Sequence, residues 1–511
     1  MKTRFIILTA CLTAAVLFIG GCGKSGAKDP NTLVIAVSGG PRSLDPTLTN
    51  DSASSEIMVQ IYDTLFTLNF DTLEPIPSLA ERYSFENDAD GNPTMLRLFL
   101  REGVKFHNGD DFTAKDVKFN LDRASASPHI SHIAGEILST EIINDYEALV
   151  TLRSPFMPIL NNLAHTALSI VNQRAVEELG ESYPQNPVGT GALKFVKWVV
   201  GNRIELTLWD EYWGEAPQIK NVTIRYIADD ATRMLELETG GVDIAYPIPP
   251  QDLSRVEANK DMQIFRRPSL SMSFIGFNNQ KPPYSNLKVR QAIIHAIDMR
   301  ALLDATLMGV GTVARGPIAS TVWASAADVL PQLEYNPDKA RQLLTEAGFP
   351  NGFTTTIATN ENAQRIDTAV IMQNMLAQVG ITVNISIMEW AAYLDMMDRG
   401  EQEMYILGWV TVTGDPDYGL EIFHSRSFGA GGNHSLYSNP AVDRLLDAAR
   451  KEINPNTRHD MYIEAQKLIH ADSPMLYSVE GESIIAARKN VRGFVINPAG
   501  HHPFWTVYFE D

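Results

Sequence analysis

Asn336-Pro337-Asp338-Lys339-Ala340-Arg341-Gln342-Leu343-Leu344 reads as the opening of a helix. Asn336 is a capping residue type, Pro337 suits the first helical position, and apolar residues return at Ala340, Leu343 and Leu344. Gly348 stands where a glycine closes such a helix. A second helical pattern over 368–379 ends at Gly380, and Ile381-Thr382-Val383-Asn384-Ile385-Ser386-Ile387 then alternates as a strand does. Helix followed by strand, repeated, is the pattern of an α/β domain. Working outward, Leu33–Val37, Ile204–Leu208 and Val222–Tyr226 read as further strands, and 289–308 as a helix. With 511 residues, the chain is long enough for two or more lobes.

The N-terminus is of another kind. Lys2 and Arg4 precede an apolar stretch from Phe5 to Ile19, and Gly20-Gly21-Cys22 follows, the layout of a secretory signal peptide. Ile19-Gly20-Gly21-Cys22 also resembles a bacterial lipobox, in which the cysteine is lipidated and becomes the new N-terminus. Residues 1–21 are expected to be removed, and 22–31 are small and polar enough to serve as a flexible tether. The expected location is outside the cytoplasm, lipid-anchored through Cys22, in a periplasmic space or on the outer face of the cell membrane. The plainer alternatives are a signal peptide with an incidental cysteine, or an anchor that is never cut.

The only other cysteine, Cys11, leaves with the signal, so no internal disulfide and no cysteine nucleophile is expected. Formal net charge is −19, which argues against nucleic acid as a partner, because its phosphates would be repelled. Catalytic motifs are missing: no Gly-x-Ser-x-Gly elbow, no His-Glu-x-x-His, no phosphate-binding loop. Gly309-Val310-Gly311 follows a helical pattern rather than a strand, which removes the dinucleotide reading. His107 and His434 lack the spaced second ligand of a metal site, and His501 and His502, adjacent on an extended segment, point to opposite faces. No metal, no cofactor and no enzyme activity are expected. Among seven tryptophans, Trp409 stands out, because Ile406-Leu407-Gly408-Trp409 reads as a strand running into the polar loop Val410–Tyr418.

Several segments together resemble the peptide-type extracytoplasmic solute-binding proteins of ABC importers, bacterial extracellular solute-binding protein family 5. They are Tyr62-Asp63-Thr64-Leu65-Phe66, Pro77-Ser78-Leu79-Ala80-Glu81, Leu100-Arg101-Glu102-Gly103-Val104-Lys105-Phe106-His107-Asn108-Gly109 and Phe112-Thr113-Ala114-Lys115-Asp116-Val117. Asn186-Pro187-Val188-Gly189-Thr190-Gly191, Tyr212-Trp213, Gly241-Val242-Asp243-Ile244, Val289-Arg290-Gln291-Ala292-Ile293 and Tyr437-Ser438-Asn439-Pro440 continue the match in order. The resemblance implies a two-lobed periplasmic-binding-protein-like fold, hinged, of the class C type with an extra subdomain in the first lobe. Lobe 1 would comprise 32–277 with 481–511, and lobe 2 would comprise 278–480. It also implies capture of a small peptide, dipeptide, oligopeptide or glutathione-like solute, delivery to ABC permease subunits, and a monomer.

Within that family, Ala245-Tyr246-Pro247-Ile248-Pro249, Leu121-Asp122-Arg123-Ala124-Ser125 and Trp409 through Asp417 are similar to glutathione-binding members. Dipeptide and oligopeptide binders place an aspartate three positions after the Gly-Trp, to pair the peptide's α-amine. Val412 occupies that position here, so Asp415 or Asp417 is the expected substitute, unless the ligand has no free amine there. Thr411 is expected to contact ligand from the same loop. Arg42, after Gly39-Gly40-Pro41, and Arg365, at the start of a helix, are the expected partners of a ligand carboxylate. The competing functions are the same fold binding a nickel chelate, haem or a sugar, a lipid-anchored peptidase, and a signalling receptor.

Overall fold

A computed structural model describes residues 31–510. The expected signal peptide, Cys22 and nearly all of the expected tether lie outside the described residues. One sheet of eleven strands runs through the whole molecule. In order, ten of them are Thr382–Met388, Thr354–Asn360, Met404–Val410, Met262–Phe277, Met475–Arg488, Ile244–Ala245, Thr32–Val37, Asn221–Tyr226, Arg203–Leu208 and Leu193–Val199. Thr312–Val313 pairs with Met475–Arg488 off that path.

The local rules read from sequence are visible in these elements. Asn336 caps Pro337–Glu346 by accepting from the Lys339 N–H, and Gly348 leaves it at φ +91°. The second helix spans Ala363–Ala377 and begins earlier than its apolar pattern, because Asn362 caps it through the Arg365 N–H. The helix expected over 289–308 is two helices, Leu287–Ala296 and Met299–Leu307. Asp298 divides them, its carboxylate accepting from the Arg300 and Ala301 N–H groups to start the second.

Burial on both faces of the sheet explains the layering. In the second half of the molecule, Ile275, Phe277 and Ile406 face the helices Leu287–Ala296, Pro337–Glu346 and Ala363–Ala377. Met272, Phe274 and Leu407 face the opposite side, against Trp390–Asp398, Pro440–Ala449 and Pro455–Asp472. In the first half, Leu33, Ile35 and Val37 pack with Ser52–Ile61, while Val34 and Ala36 pack with Asp230–Thr239 and Leu253–Ala258. Alternate residues thus serve two cores, one per face.

A four-stranded antiparallel sheet, Ala80–Glu86, Met95–Leu100, Glu147–Leu152 and Ile137–Asn144, forms a further unit with the helix Ala114–Ala126. Thr113 and Asp116 close that helix's start as a capping box. Its core is separate, built on residues such as Leu98, Val117, Leu121 and Val150.

Among the described residues, only two strands belong to both halves: Met262–Phe277, of 16 residues, and Met475–Arg488, of 14. They pair antiparallel, and the ladder slips between Pro268, opposite Glu482, and Met272, opposite Glu480. Three residues of one strand there face Gly481 alone. Pro268 has no N–H to give, so a bulge at this point is where the ladder loses least. Up to the bulge, Met262–Phe277 runs beside Arg488–Glu482, and beyond it beside both Glu480–Met475 and Val410–Met404.

Candidate ligand cleft

Strand direction locates the site. Val410 pairs with Ser271, so Met404–Val410 ends beside the bulge, and Thr354–Asn360 and Thr382–Met388 run parallel to it. From the other half, Ile244–Ala245 runs antiparallel to Met475–Arg488, toward the same bulge, and Thr32–Val37 and Asn221–Tyr226 are parallel to it. The carboxyl ends of both sets of parallel strands therefore converge. Ligands of open α/β sheets bind outside those ends.

Arg42 follows Thr32–Val37, at the carboxyl end of that strand set. Gly40 precedes it in contact with Tyr226, where an added Cβ would lie 2.8 Å from the ring. The Arg42 side chain is exposed, its backbone N–H donates to Ser54 Oγ at 3.0 Å, and among the described residues it has no ion-pair partner. Arg365 comes from the carboxyl end of the other set. Its Nη1 donates to Asn360 Oδ1 at 2.9 Å, and its guanidinium lies 5.6 Å from the Trp390 ring centre. No carboxylate pairs with it among the described residues, and burial holds its pKa below the ordinary arginine value.

Trp409 is half-buried and stacks on Tyr418, with ring centres 5.3 Å apart and planes at 20°. Its Nε1 donates to the Tyr418 carbonyl at 3.3 Å, which fixes the loop between them. Thr411 is 2% exposed, and a Cβ on Gly419 would come 2.7 Å from its Oγ1. Its backbone N–H donates to the Leu270 carbonyl at 3.1 Å, so Thr411 ties the loop to the bulge. Val412 is half-buried against the cores of both units.

Asp415 and Asp417 sit behind this loop in a buried ionic cluster. Asp415 accepts from Arg458 Nη1 and Nη2 at 2.9 and 2.7 Å, and also caps Pro416–Leu420. Asp417 lies 3.1 Å from Arg450, which also pairs with Glu421 at 2.8 Å. Glu421 takes Arg426 as well, so three carboxylates meet three guanidiniums. Burial, with Glu421 and Asp415 nearby, pushes the Asp417 carboxyl up to about 6 against the pull of Arg450. Both Asp415 oxygens are committed to Arg458, and the amine partner looked for there is already a protein side chain.

The loop also meets the antiparallel unit. Asn161 Nδ2 donates to the Thr413 carbonyl at 2.8 Å, and the Met157 N–H donates to the Arg450 carbonyl at 2.8 Å. Leu73, at φ +60°, lies against Gly414, where an added Cβ would come 2.8 Å from the Leu73 Cβ. The tail crosses the bulge too, its Pro498 carbonyl accepting from the Leu270 N–H at 3.0 Å.

Histidines surround the far edge of Tyr418. The ring centres of His165 and His132 lie 5.4 and 6.1 Å from it. His501, within electrostatic reach of His165, and His502 are buried and diverge, His502 packing on Tyr246 and Phe494. Burial takes His501 down to about 4 and His502 to about 3. Glu56 faces Tyr246, whose hydroxyl donates to it, and burial pushes its carboxyl up to about 8. Sequence spacing pointed to none of His132, His165, Glu56 and Tyr246 as site residues, because each arrives from a different segment. Among the described residues, no cluster of His, Cys, Asp or Glu is arranged to hold a metal ion.

His107 has another task. It bonds the Gly191 carbonyl at 2.8 Å and lies T-shaped against Trp209. Cβ atoms on Gly189 and Gly191 would come 2.1 and 2.7 Å from the Ile61 carbonyl oxygen, so this turn clasps the end of Ser52–Ile61.

The profile of the bacterial extracellular solute-binding proteins, family 5 Middle, matches residues 74–430. The chain is 34% identical to the glutathione-binding protein GsiB of Salmonella paratyphi A over 487 residues, covering 92% of this chain and 93% of that one. Its fold is similar to that of DppA, a periplasmic binding protein associated with an ABC transporter in Helicobacter pylori, solved with the peptide STSA. The TM-score is 0.87 at 30% identity, over 94% of this chain and 98% of that one. A dipeptide-binding protein of Pseudoalteromonas sp. SM9913, solved with Met-Leu, gives a TM-score of 0.87 at 25% identity, over 94% and 100%.

Proposed function

Since the chain belongs to the bacterial extracellular solute-binding proteins of family 5, we propose that it captures a small peptide or peptide-like solute between two closing lobes and delivers it to the permease of an ABC importer. Dipeptides, short oligopeptides and glutathione are the intended cargo, as in the relatives named above. One observation carries this reading: the carboxyl ends of two sets of parallel strands converge on one bulged crossing, with two arginines free of carboxylate partners among the described residues.

The two lobes are residues 32–277 with 481–511, and residues 278–480, pivoting inside the two long strands at the Pro268–Met272 bulge. Closure removes water around Arg42 and Arg365, and a bidentate guanidinium then holds a ligand carboxylate far better than in the open form. Trp409 and Tyr418 supply the apolar wall. Thr411, Asp415 and Asp417 act from behind, setting the loop's shape through Leu270, Arg458 and Arg450. The protein binds and releases and makes or breaks no bond. Anchoring through a lipid on Cys22, a monomeric state and a place at the membrane's outer side complete the proposal.

The test is a thermal-shift and calorimetry panel on the purified protein, with dipeptides, longer peptides, reduced and oxidised glutathione, nickel with histidine, haem and simple sugars. A peptide or glutathione should raise the melting temperature by mass action. Binding of the nickel chelate, haem or a sugar with no peptide or glutathione binding would overturn the choice of cargo, and hydrolysis of a bound peptide would overturn the non-enzymatic role.

A further inference from the structure

Two histidines beside Tyr418 carry protons that no group among the described residues accepts. The Ala167 N–H donates to His165 Nδ1 at 2.9 Å, which caps the short helical turn Thr166–Leu168. A nitrogen that accepts holds no proton, so the neutral ring carries its hydrogen on Nε2. His165 is 3% exposed, and its Nε2 has no hydrogen-bond partner. The same logic applies to His132. Asn50 Nδ2 can only donate, and it lies 3.2 Å from His132 Nε2, which leaves the proton on Nδ1. That Nδ1 is likewise buried without a partner.

Nearby acceptors are committed elsewhere. Asp51 takes Ser54 and Thr49, Glu421 takes Arg426 and Arg450, and the Tyr418 carbonyl takes Trp409. His501, the other ring within electrostatic reach of His165, has an unpartnered Nε2 of its own. Burial depresses the pKa of both His165 and His132, consistent with neutral rings. A buried donor without an acceptor is costly, and each such group in a native protein calls for an explanation, a bound partner among them.

We propose that His165 Nε2–H and His132 Nδ1–H form a ligand subsite, donating hydrogen bonds to a carboxylate or amide carbonyl oxygen of a solute seated beside the Trp409–Tyr418 stack. This rests on the cleft reading above and adds a second recognition point to it. Arginines hold one end of the solute by charge. The two imidazoles read an acceptor oxygen elsewhere on it by presenting two N–H donors. The solute class is therefore one with at least two separated oxygen acceptors, as in a short peptide.

His165→Asn tests this directly. An asparagine at 165 keeps an acceptor for the Ala167 N–H and loses the Nε2 donor, whereas His165→Gln restores an N–H at greater reach. Calorimetry with reduced glutathione and with Met-Leu should show affinity falling about tenfold or more in His165→Asn. His165→Gln should recover part of that loss, and the ligand-free melting temperature should stay near wild type. In wild type, the ¹H–¹⁵N resonance of His165 Nε2 should shift on ligand addition. Equal binding by wild type and His165→Asn, or an Nε2 resonance that ignores the ligand, overturns the subsite alone. Failure of wild type to bind either solute overturns the cargo reading and the subsite with it. If His165→Asn does not fold, the wild-type resonance decides.

Discussion

At the residue scale, the ionic cluster behind Trp409 decides what the loop can offer a ligand. Asp415 shares two hydrogen bonds with Arg458, both side chains being nearly inaccessible. Removing one member of such a pair leaves an uncompensated buried charge, a cost of about 3–5 kcal/mol. Arg458→Met should lower unfolding free energy by that amount, read from urea denaturation at pH 7. The glycines of the Val188-Gly189-Thr190-Gly191 turn are similarly constrained. Gly189→Ala should cost about 1–3 kcal/mol by overpacking against the Ile61 carbonyl, in the same assay. These two cases show what single residues reveal. The glycines were legible in sequence as a turn, since small residues there have a local cause. The fate of Asp415 was not, because Arg458 lies 43 positions away and only the fold joins them.

At the element scale, the reach of the hairpin formed by Phe66–Leu68 and Pro75–Pro77 matters most. Its turn presents Leu73 in a left-handed conformation to Gly414, itself at φ +68°. An alanine at 414 meets both a backbone penalty and the Leu73 Cβ. Gly414→Ala should therefore lower the unfolding free energy by about 1–3 kcal/mol. Urea denaturation of the ligand-free protein reads that loss, and an unchanged midpoint would count against the contact. Elements themselves were largely readable from sequence. Pro337–Glu346 was plain from Asn336, Pro337 and the apolar spacing, whereas the division at Asp298 was hidden by apolar residues on both sides. The sixteen-residue strand Met262–Phe277 escaped notice for a different reason: it alternates in parts, carries Pro268, and crosses two environments.

At the scale of the whole molecule, buried titratable groups set a pH profile. His107 and His501 are held down to about 4 and His502 to about 3, each by burial, against an ordinary value of 6.5. Their neutral forms are favoured in the folded state, so stability is full above 6.5 and falls as pH drops toward 4. Glu56 acts oppositely: raised from 4.5 to about 8, it favours the folded state below 4.5 and loses that contribution as pH climbs to 8. The histidines outnumber it on the acid side, and above 6.5 Glu56 acts largely alone. Unfolding free energy should peak near pH 6.5. Glu56→Gln should flatten the decline between 6.5 and 8, a result that denaturation at a series of pH values can deny.

The grouping of Asp415, Asp417 and Glu421 with Arg426, Arg450 and Arg458, buried except for Arg426, which reaches the surface and also pairs with Asp447, bears on life outside the cytoplasm, where this family works. Extracellular fluid can change from dilute to briny within minutes, and mobile ions weaken exposed ion pairs over a Debye length of about 10 Å at 0.1 M. Ions that cannot enter cannot screen. With Asp415, Asp417, Glu421, Arg450 and Arg458 matched inside the fold, the segment from Val410 to Tyr418 keeps its geometry across salinities that would loosen a surface-held loop.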